Sequence, residues 1–231
     1  MTSINAKVIS IESLTPYVLK LVLDAGKPIT FKAGQYLQVV MSEKDKRPFS
    51  IANMPSNDGL IELHIGAVPE NPYAFEVIER ARKESSLEVE YGLGDAFMRR
   101  NSKKAILIAG GTGYSYTKSI LLAMLNEQPD REVLLYWGAK NSEDLYEKEA
   151  LFQLSVVHKN FTFKPVLENP NSDWQYQTGL VHQAVLEDFD NFSGSQVYVA
   201  GRFEMAAVVK EAFLPLNLEK IDLFGDAFAF I

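Results

Sequence analysis

The chain has 231 residues, with 23 Lys plus Arg against 30 Asp plus Glu, a net charge of −7, three histidines and no cysteine. Without cysteine there is no disulfide framework, no thiolate nucleophile and no cysteine-held zinc or iron–sulfur centre, and His64, His158 and His182 are too scattered to suggest a metal site. The acidic balance argues against nucleic acid as a partner, while 47% hydrophobic residues suffice for one large or two small cores.

Residues 1–7 carry no basic segment followed by an apolar stretch, and no apolar run approaches bilayer length. Neither export nor membrane insertion is expected, and the cytoplasm is the expected location. The first hundred residues then alternate β-forming runs with turn signals. Strands are predicted over 7–11, 17–23, 36–41, 49–51, 60–65 and 87–91, separated by turns at 24–28, the charged run 42–47 and 54–59. A helix over 73–83 would set Phe75, Ile78 and Arg82 on one side. In the run 60–65, Ile61, Leu63 and Ile65 alternate with Glu62 and His64, which puts His64 on the surface or at a rim. Short strands with one helix predict an antiparallel β-barrel over residues 1–100.

After the polar stretch 98–104 the texture changes to strand–glycine–helix units. Strands are predicted over 105–109, 133–137, 162–167, 197–200 and 221–223, and helices over 114–127, 143–154, 180–188 and 204–213. Unbroken apolar strands in that order predict a doubly wound parallel α/β sheet over residues 101–231. Ligands of such sheets sit beyond the carboxyl ends of the strands. There, Gly110-Gly111-Thr112-Gly113 lets backbone approach a phosphate, the next helix offers free N–H groups, and Thr112 and Ser115 add hydroxyls. A glycine turn after a strand is also compatible with geometry alone, and Tyr116 stands where the three-glycine dinucleotide fingerprint has glycine. In the second turn, Ala200-Gly201-Arg202-Phe203-Glu204-Met205, Gly201 admits a flat ring and Arg202 offers a fork of donors to a phosphate or carboxamide. The competing reading is an ordinary β–α turn with Met205 in the core.

A third piece is Arg47-Pro48-Phe49-Ser50. Taken with Phe31-Lys32-Ala33-Gly34-Gln35-Tyr36, Glu62-Leu63-His64-Ile65-Gly66, Tyr136-Trp137-Gly138, the two glycine turns and the tail Phe224-Gly225-Asp226-Ala227-Phe228-Ala229-Phe230-Ile231, it resembles the ferredoxin–NADP reductase superfamily. Within it, the chain is most similar to the NAD(P)H–flavin reductase branch of enteric and luminous bacteria, over essentially its whole length. The resemblance implies a flavin-binding barrel, an NAD(P)H-binding α/β domain, and an oxidoreductase moving hydride from NADH or NADPH to riboflavin, FMN or FAD. It implies that Arg47, Pro48, Phe49 and Ser50 line the isoalloxazine, with Ser50 as the catalytic hydroxyl near flavin N5 and Tyr36 beside the flavin or its ribityl chain. Gly110, Gly111, Thr112, Gly113, Tyr114 and Ser115 would hold the dinucleotide. Gly201, Arg202, Phe203 and Met205 would flank the nicotinamide, and Asp226, Phe228 and Phe230 would close the flavin site. Arg47 would offset the charge of reduced flavin, whereas Glu43 to Lys46 read as solvated hairpin charges.

Two departures sharpen this expectation. Ala200-Gly201-Arg202 replaces the Cys-Gly-Pro turn of many superfamily members, so thiol-assisted transfer is out of reach. The segment Val68-Pro69-Glu70-Asn71-Pro72-Tyr73-Ala74-Phe75-Glu76 has no glycine, two prolines without N–H donors, and acidic residues that repel phosphate. Flavin is therefore expected as an exchangeable substrate, released reduced to a luciferase, a monooxygenase, a ferric acceptor or oxygen. The rival readings are an FAD-containing electron-transfer reductase with a protein acceptor and a non-catalytic nucleotide-binding subunit. Lys140 favours a 2′-phosphate while Glu143 and Asp144 oppose one, which keeps both NADH and NADPH in play. No heptad calls for a partner, and a monomer is expected.

Overall fold

The computed structural model describes residues 3–68 and 71–231; Met1, Thr2, Pro69 and Glu70, the last two from the glycine-free segment, lie outside the described residues. Strands β1 (Ser3–Ser13), β2 (Val18–Asp24), β3 (Tyr36–Ser42), β4 (Asp45–Ser50), β5 (Leu60–Gly66) and β6 (Ser86–Leu93) form one antiparallel sheet in the order β4-β3-β6-β1-β2-β5. Alternate residues point inward, so Leu21, Leu23, Leu37, Val39, Ile61, Leu63, Ile65, Leu87 and Val89 make a single core. The two edge strands are consecutive in the chain and meet just past β4. There the Ala52 N–H donates to the Glu62 carbonyl at 2.8 Å, and the Glu62 N–H donates to Asn53 Oδ1 at 2.9 Å. The sheet thus curls into the expected barrel.

Two local expectations are corrected. The charged run 42–47 is not a solvated turn: Ser42 pairs with Asp45, leaving Glu43-Lys44 as the connection, and Lys46 is already in β4, bonded to Glu90 of β6 at 2.7 Å. Helix α1 (Pro72–Glu84) buries Ala74, Val77, Ile78 and Ala81, at i, i+3, i+4 and i+7, instead of the Phe75, Ile78 and Arg82 side. Two alanines let the helix lie close against the barrel core, whereas Arg82 is exposed and paired with Glu79 at 2.9 Å.

The second sheet is parallel: β7 (Lys104–Gly110), β8 (Val133–Ala139), β9 (Phe161–Leu167), β10 (Gln177–Thr178), β11 (Ser195–Ala200) and β12 (Leu223–Phe224), in the order β10-β9-β8-β7-β11-β12. Helices α2 (Tyr114–Glu127) and α3 (Lys148–Val157) cover one face, and α4 (Val181–Asp188) and α5 (Phe203–Phe213) the other. Along β7, odd-numbered Leu107 packs in the core under α2 and α3 and even-numbered Ile106 and Ile108 in a second α/β core under α4 and α5, which is why the strand reads as unbroken apolar sequence. α3 starts later than expected because Asn141 and Asp144 cap a short 3₁₀ turn first, the Asn141 N–H donating to the Asp144 carboxylate at 3.1 Å. β10, two residues long, has no periodicity to betray it. Among the described residues no helix is long and apolar enough to cross a membrane.

Arg131 knits the connection between the sheets to the second one. It is 4% exposed, and its guanidinium donates to the carbonyls of Lys103 (2.7 Å) and Arg99 (2.9 Å) and to Gln128 and Gln196 Oε1 (both 2.9 Å). Arg131→Met should cost about 3 kcal/mol of stability by leaving these buried acceptors unmet. Chemical denaturation checks this, and a loss under 1 kcal/mol would count against the network.

Candidate active site

β7 is flanked by β8 on one side and β11 on the other, so the chain reverses its progress across the sheet between β7 and β11. Such a switch point opens a crevice at the carboxyl ends of the strands. Both glycine turns end there. An added Cβ on Gly113 would lie 2.2 Å from the Ala200 carbonyl oxygen, and one on Gly201 would lie 3.3 Å from Gly110 Cα. The two turns therefore touch backbone to backbone. Gly111 has φ +54 and open space beside it, and Thr112, Gly201, Arg202 and Phe203 are exposed along the same rim. The glycines let the two turns close on each other, and the open side of Gly111 with the exposed Thr112 and the exposed start of α5 forms a rim that fits a dinucleotide.

Met205 lies over the notch between the turns, and its sulfur would sit 2.8 Å from a Cβ on Gly110. It packs against the second α/β core while touching both glycines, so the two readings of this residue are compatible. Tyr114 and Ser115 behave differently from Thr112. The Tyr114 ring is buried, stacked on Trp137 at 3.9 Å with its hydroxyl donating to Glu147 at 2.7 Å, and the Ser115 hydroxyl is enclosed without a hydrogen-bond partner. Both residues are buried whole, so of this motif Gly111 and Thr112 are the exposed part of the rim.

On the barrel, strand alternation divides the motif of β4. Ser50 and Pro48 pair with Tyr36 and Gln38 of β3 on one face, while Phe49 and Arg47 pair with the core residues Leu37 and Val39 on the other. Pro48 is exposed, Ser50 half-buried, and the Phe49 ring packs against the barrel core. The C-terminal tail returns to this region. Phe224 stacks on Tyr198 at 4.8 Å, and Asp226 Oδ1 comes beside the Tyr36 ring over Gly94, where an added Cβ would meet both at about 3 Å. Phe228 packs on Gly225, whereas Phe230 is 78% exposed and meets Phe203 edge-on at 6.0 Å. Asp226, Tyr36 and Ser50 are thus gathered on one side of the barrel; Phe230, expected at the flavin site, instead joins Phe203 beside the second glycine turn.

Burial, helped by the charge of Asp95, pushes the Asp226 carboxyl up to about 6, and burial with Asp226 and Asp95 also raises the Tyr36 phenol. The folded chain then holds a proton on Asp226 that the unfolded chain, near 3.8, has lost, so this contribution to stability is present at low pH and falls away between about pH 4 and 6. Asp226→Asn should flatten that part of the profile and make the protein more stable than the parent at pH 7, by up to roughly 3 kcal/mol. Denaturation at pH 4.5 and 7 measures it; an unchanged difference between the two pH values would overturn the assignment.

The expectation for His64 is corrected. It is on the barrel's outer face, but the α/β unit covers it. The side chain is fully buried, with Nε2 2.7 Å from Glu62 and Nδ1 3.0 Å from the Tyr146 hydroxyl. Around it, Lys118 of α2 joins Glu62 of the barrel (2.8 Å) to Glu147 (2.6 Å). Burial alone would raise the Glu62 carboxyl; the His64 and Lys118 bonds outweigh it and hold the group at about 2. The lysine ammonium stands between carboxylates that otherwise have metal-ligand spacing, so the cluster is a salt-bridged seam. It docks the barrel at the first turn, where a Cβ on Gly66 would be 3.6 Å from Thr112 Cγ2. Sequence reasoning missed Lys118, Tyr146 and Glu147; the one signal was a lysine inside an otherwise buried helix.

Residues 107–211 match the family of oxidoreductase NAD-binding domains. Over 237 residues the chain is 45% identical to an NAD(P)H-flavin reductase of Aliivibrio fischeri, covering 99% of both. An NAD(P)H-flavin reductase of Vibrio harveyi is 43% identical over 236 residues, 99% of this chain and 100% of that one. The chain belongs to the NAD(P)H-flavin reductase family. Among solved structures, an Amycolatopsis cytochrome P450 reductase superposes with a TM-score of 0.86 at 25% identity, over 97% of this chain and 69% of that one. A ferredoxin NADP+ reductase of Neisseria gonorrhoeae with bound FAD and NADP shares the fold, with a TM-score of 0.76 at 16% identity over 97% and 98%. For this flavin reductase family member, the fold expected from sequence, a barrel followed by a doubly wound sheet, is the fold observed.

Proposed function

We propose that this protein is an NAD(P)H:flavin oxidoreductase that takes a free flavin as substrate and releases it reduced. The observation that carries the reading is the meeting of the first glycine turn with strand β5 at the seam, which brings the dinucleotide cradle to the side of the barrel. Residues 1–100 would bind the flavin and 101–231 the nicotinamide coenzyme.

The nicotinamide supplies a hydride and the flavin ring accepts it, so the protein need not carry the transferred group. Its residues hold, orient and shield. Gly111 to Gly113, a short 3₁₀ turn ahead of α2, would present their backbone to the coenzyme's phosphates, with Thr112 adding its hydroxyl. Gly201 admits the Met205 side chain and the Gly110 backbone against it, and its own exposed backbone, with Arg202 and Phe203, would border the nicotinamide. Pro48 and Tyr36 wall the flavin on the barrel side, and the Ser50 hydroxyl donates toward the ring atom where charge develops. Asp226, which keeps its proton to about pH 6, adds a neutral carboxyl beside Tyr36 at mildly acid pH. The reduced flavin then serves a luciferase, a monooxygenase or a ferric complex. The chain would act as a monomer in the cytoplasm.

An anaerobic assay of NAD(P)H oxidation with and without added riboflavin tests this. Turnover only with free flavin is the expected result. Protein that stays yellow through gel filtration and reduces a protein acceptor would establish the bound-FAD alternative instead.

A further inference from the structure

Arg47 is the one residue of the β4 motif whose side chain is fully engaged within the protein. It is 8% exposed. Nε donates to Asp45 at 3.0 Å, one terminal nitrogen donates to both Asp45 and Glu76 at 2.7 Å, and the other donates to the Tyr73 carbonyl at 2.5 Å, with the Tyr73 ring 4.9 Å away. The guanidinium therefore lies at the first turn of α1, a helix that begins at Pro72 and has no side-chain cap. A guanidinium beside an uncapped helix N-terminus is chemistry for an anion. Here two carboxylates of the same chain occupy that cation, so the cluster carries one positive and two negative charges.

We infer that Asp45 and Glu76 determine flavin specificity: by holding Arg47 they withhold it from a phosphate, so the site favours a flavin whose ribityl chain ends in a hydroxyl. This rests on the placement of flavin against β4 proposed above. Arg47 is three residues along the strand from Ser50, about 10 Å at the rise of a β-strand. Arg47 faces the other side of β4 from Ser50, and because β4 is an edge strand an extended ribityl chain leading away from a ring held at Ser50 would reach it over that edge. A phosphate arriving there brings up to two negative charges into a cluster whose net charge is already negative, and repulsion is strong at partly buried sites. Glu76 lies half in solvent, which makes its removal structurally mild.

The test compares riboflavin with FMN in the parent protein, in Glu76→Gln, in Asp45→Asn/Glu76→Gln, and in that double variant with Arg47→Met added. Dissociation constants come from quenching of flavin fluorescence, and kcat/KM from NADH oxidation. The parent should favour riboflavin. Glu76→Gln should raise the FMN-to-riboflavin ratio about threefold and the double variant about tenfold or more, in both affinity and kcat/KM. High salt should erode the gain, and adding Arg47→Met should abolish it. A ratio within twofold of the parent's in both carboxylate variants, with riboflavin still bound, would overturn the inference. A parent that binds riboflavin yet never reduces it would instead overturn the proposed function, and the binding ratios would still decide the role of Asp45 and Glu76.

Discussion

Replacing Ser50 by alanine should lower kcat for flavin reduction about a hundredfold while the KM for NADH stays within about twofold. Ser50 ends β4 in register with Tyr36, so its backbone is set by the sheet, and the change removes one oxygen without disturbing the strand. In the proposed arrangement that oxygen is a preorganised donor at the ring atom that gains charge. Loss of one such donor typically costs a factor of 10² to 10³. Ser50→Thr keeps the hydroxyl and should retain most of the rate. Rapid mixing of NADH, flavin and protein without oxygen reads the step directly, and an unchanged rate in the alanine variant would refute the role.

Gly113→Ala should be the most damaging single methyl in the α/β unit. The added Cβ would lie 2.2 Å from the oxygen and 2.4 Å from the carbon of the Ala200 carbonyl, and 2.8 Å from the Gly201 nitrogen. All three are backbone atoms, so no side chain can swing aside; either the first turn or the end of β11 must move. Overpacking of this kind costs about 3 kcal/mol and would reshape the cradle proposed for the coenzyme. Stability should fall by that amount and kcat/KM for NADH by a hundredfold or more. Gly111→Ala is the contrast: its Cβ meets nothing within 4 Å, and the cost is the roughly 1 kcal/mol of a left-handed backbone at φ +54. Equal losses in the two variants would mean that the contact between the turns is not what holds the cradle.

The two glycines owe their identity to different causes, one local and one tertiary. Both glycines stand out in the sequence as one motif, Gly110-Gly111-Thr112-Gly113, and nothing local says which is there for conformation and which for room. Gly113 has an ordinary helical φ of −56; it must be glycine because β11, nearly ninety residues later, brings Ala200 against it. Arg47 makes the same point in electrostatic form. Its motif marks it as a ligand-facing cation, but only the folding of α1 onto the barrel delivers Glu76 and the Tyr73 carbonyl to the guanidinium.

Local pattern was enough for the two β textures, the order of the helices and of every strand but β10, the span of α2 and the placing of both glycine turns after strands. These depend on hydrophobic period and on glycine, which act over a few residues. The tertiary structure alone decided that His64 is buried, that Lys118 bridges Glu62 to Glu147, and that Asp226 comes to Tyr36. Those contacts join residues from different sheets and distant parts of the chain. Local pattern has no access to them, because which face of a strand meets solvent is settled only when a second unit docks on it.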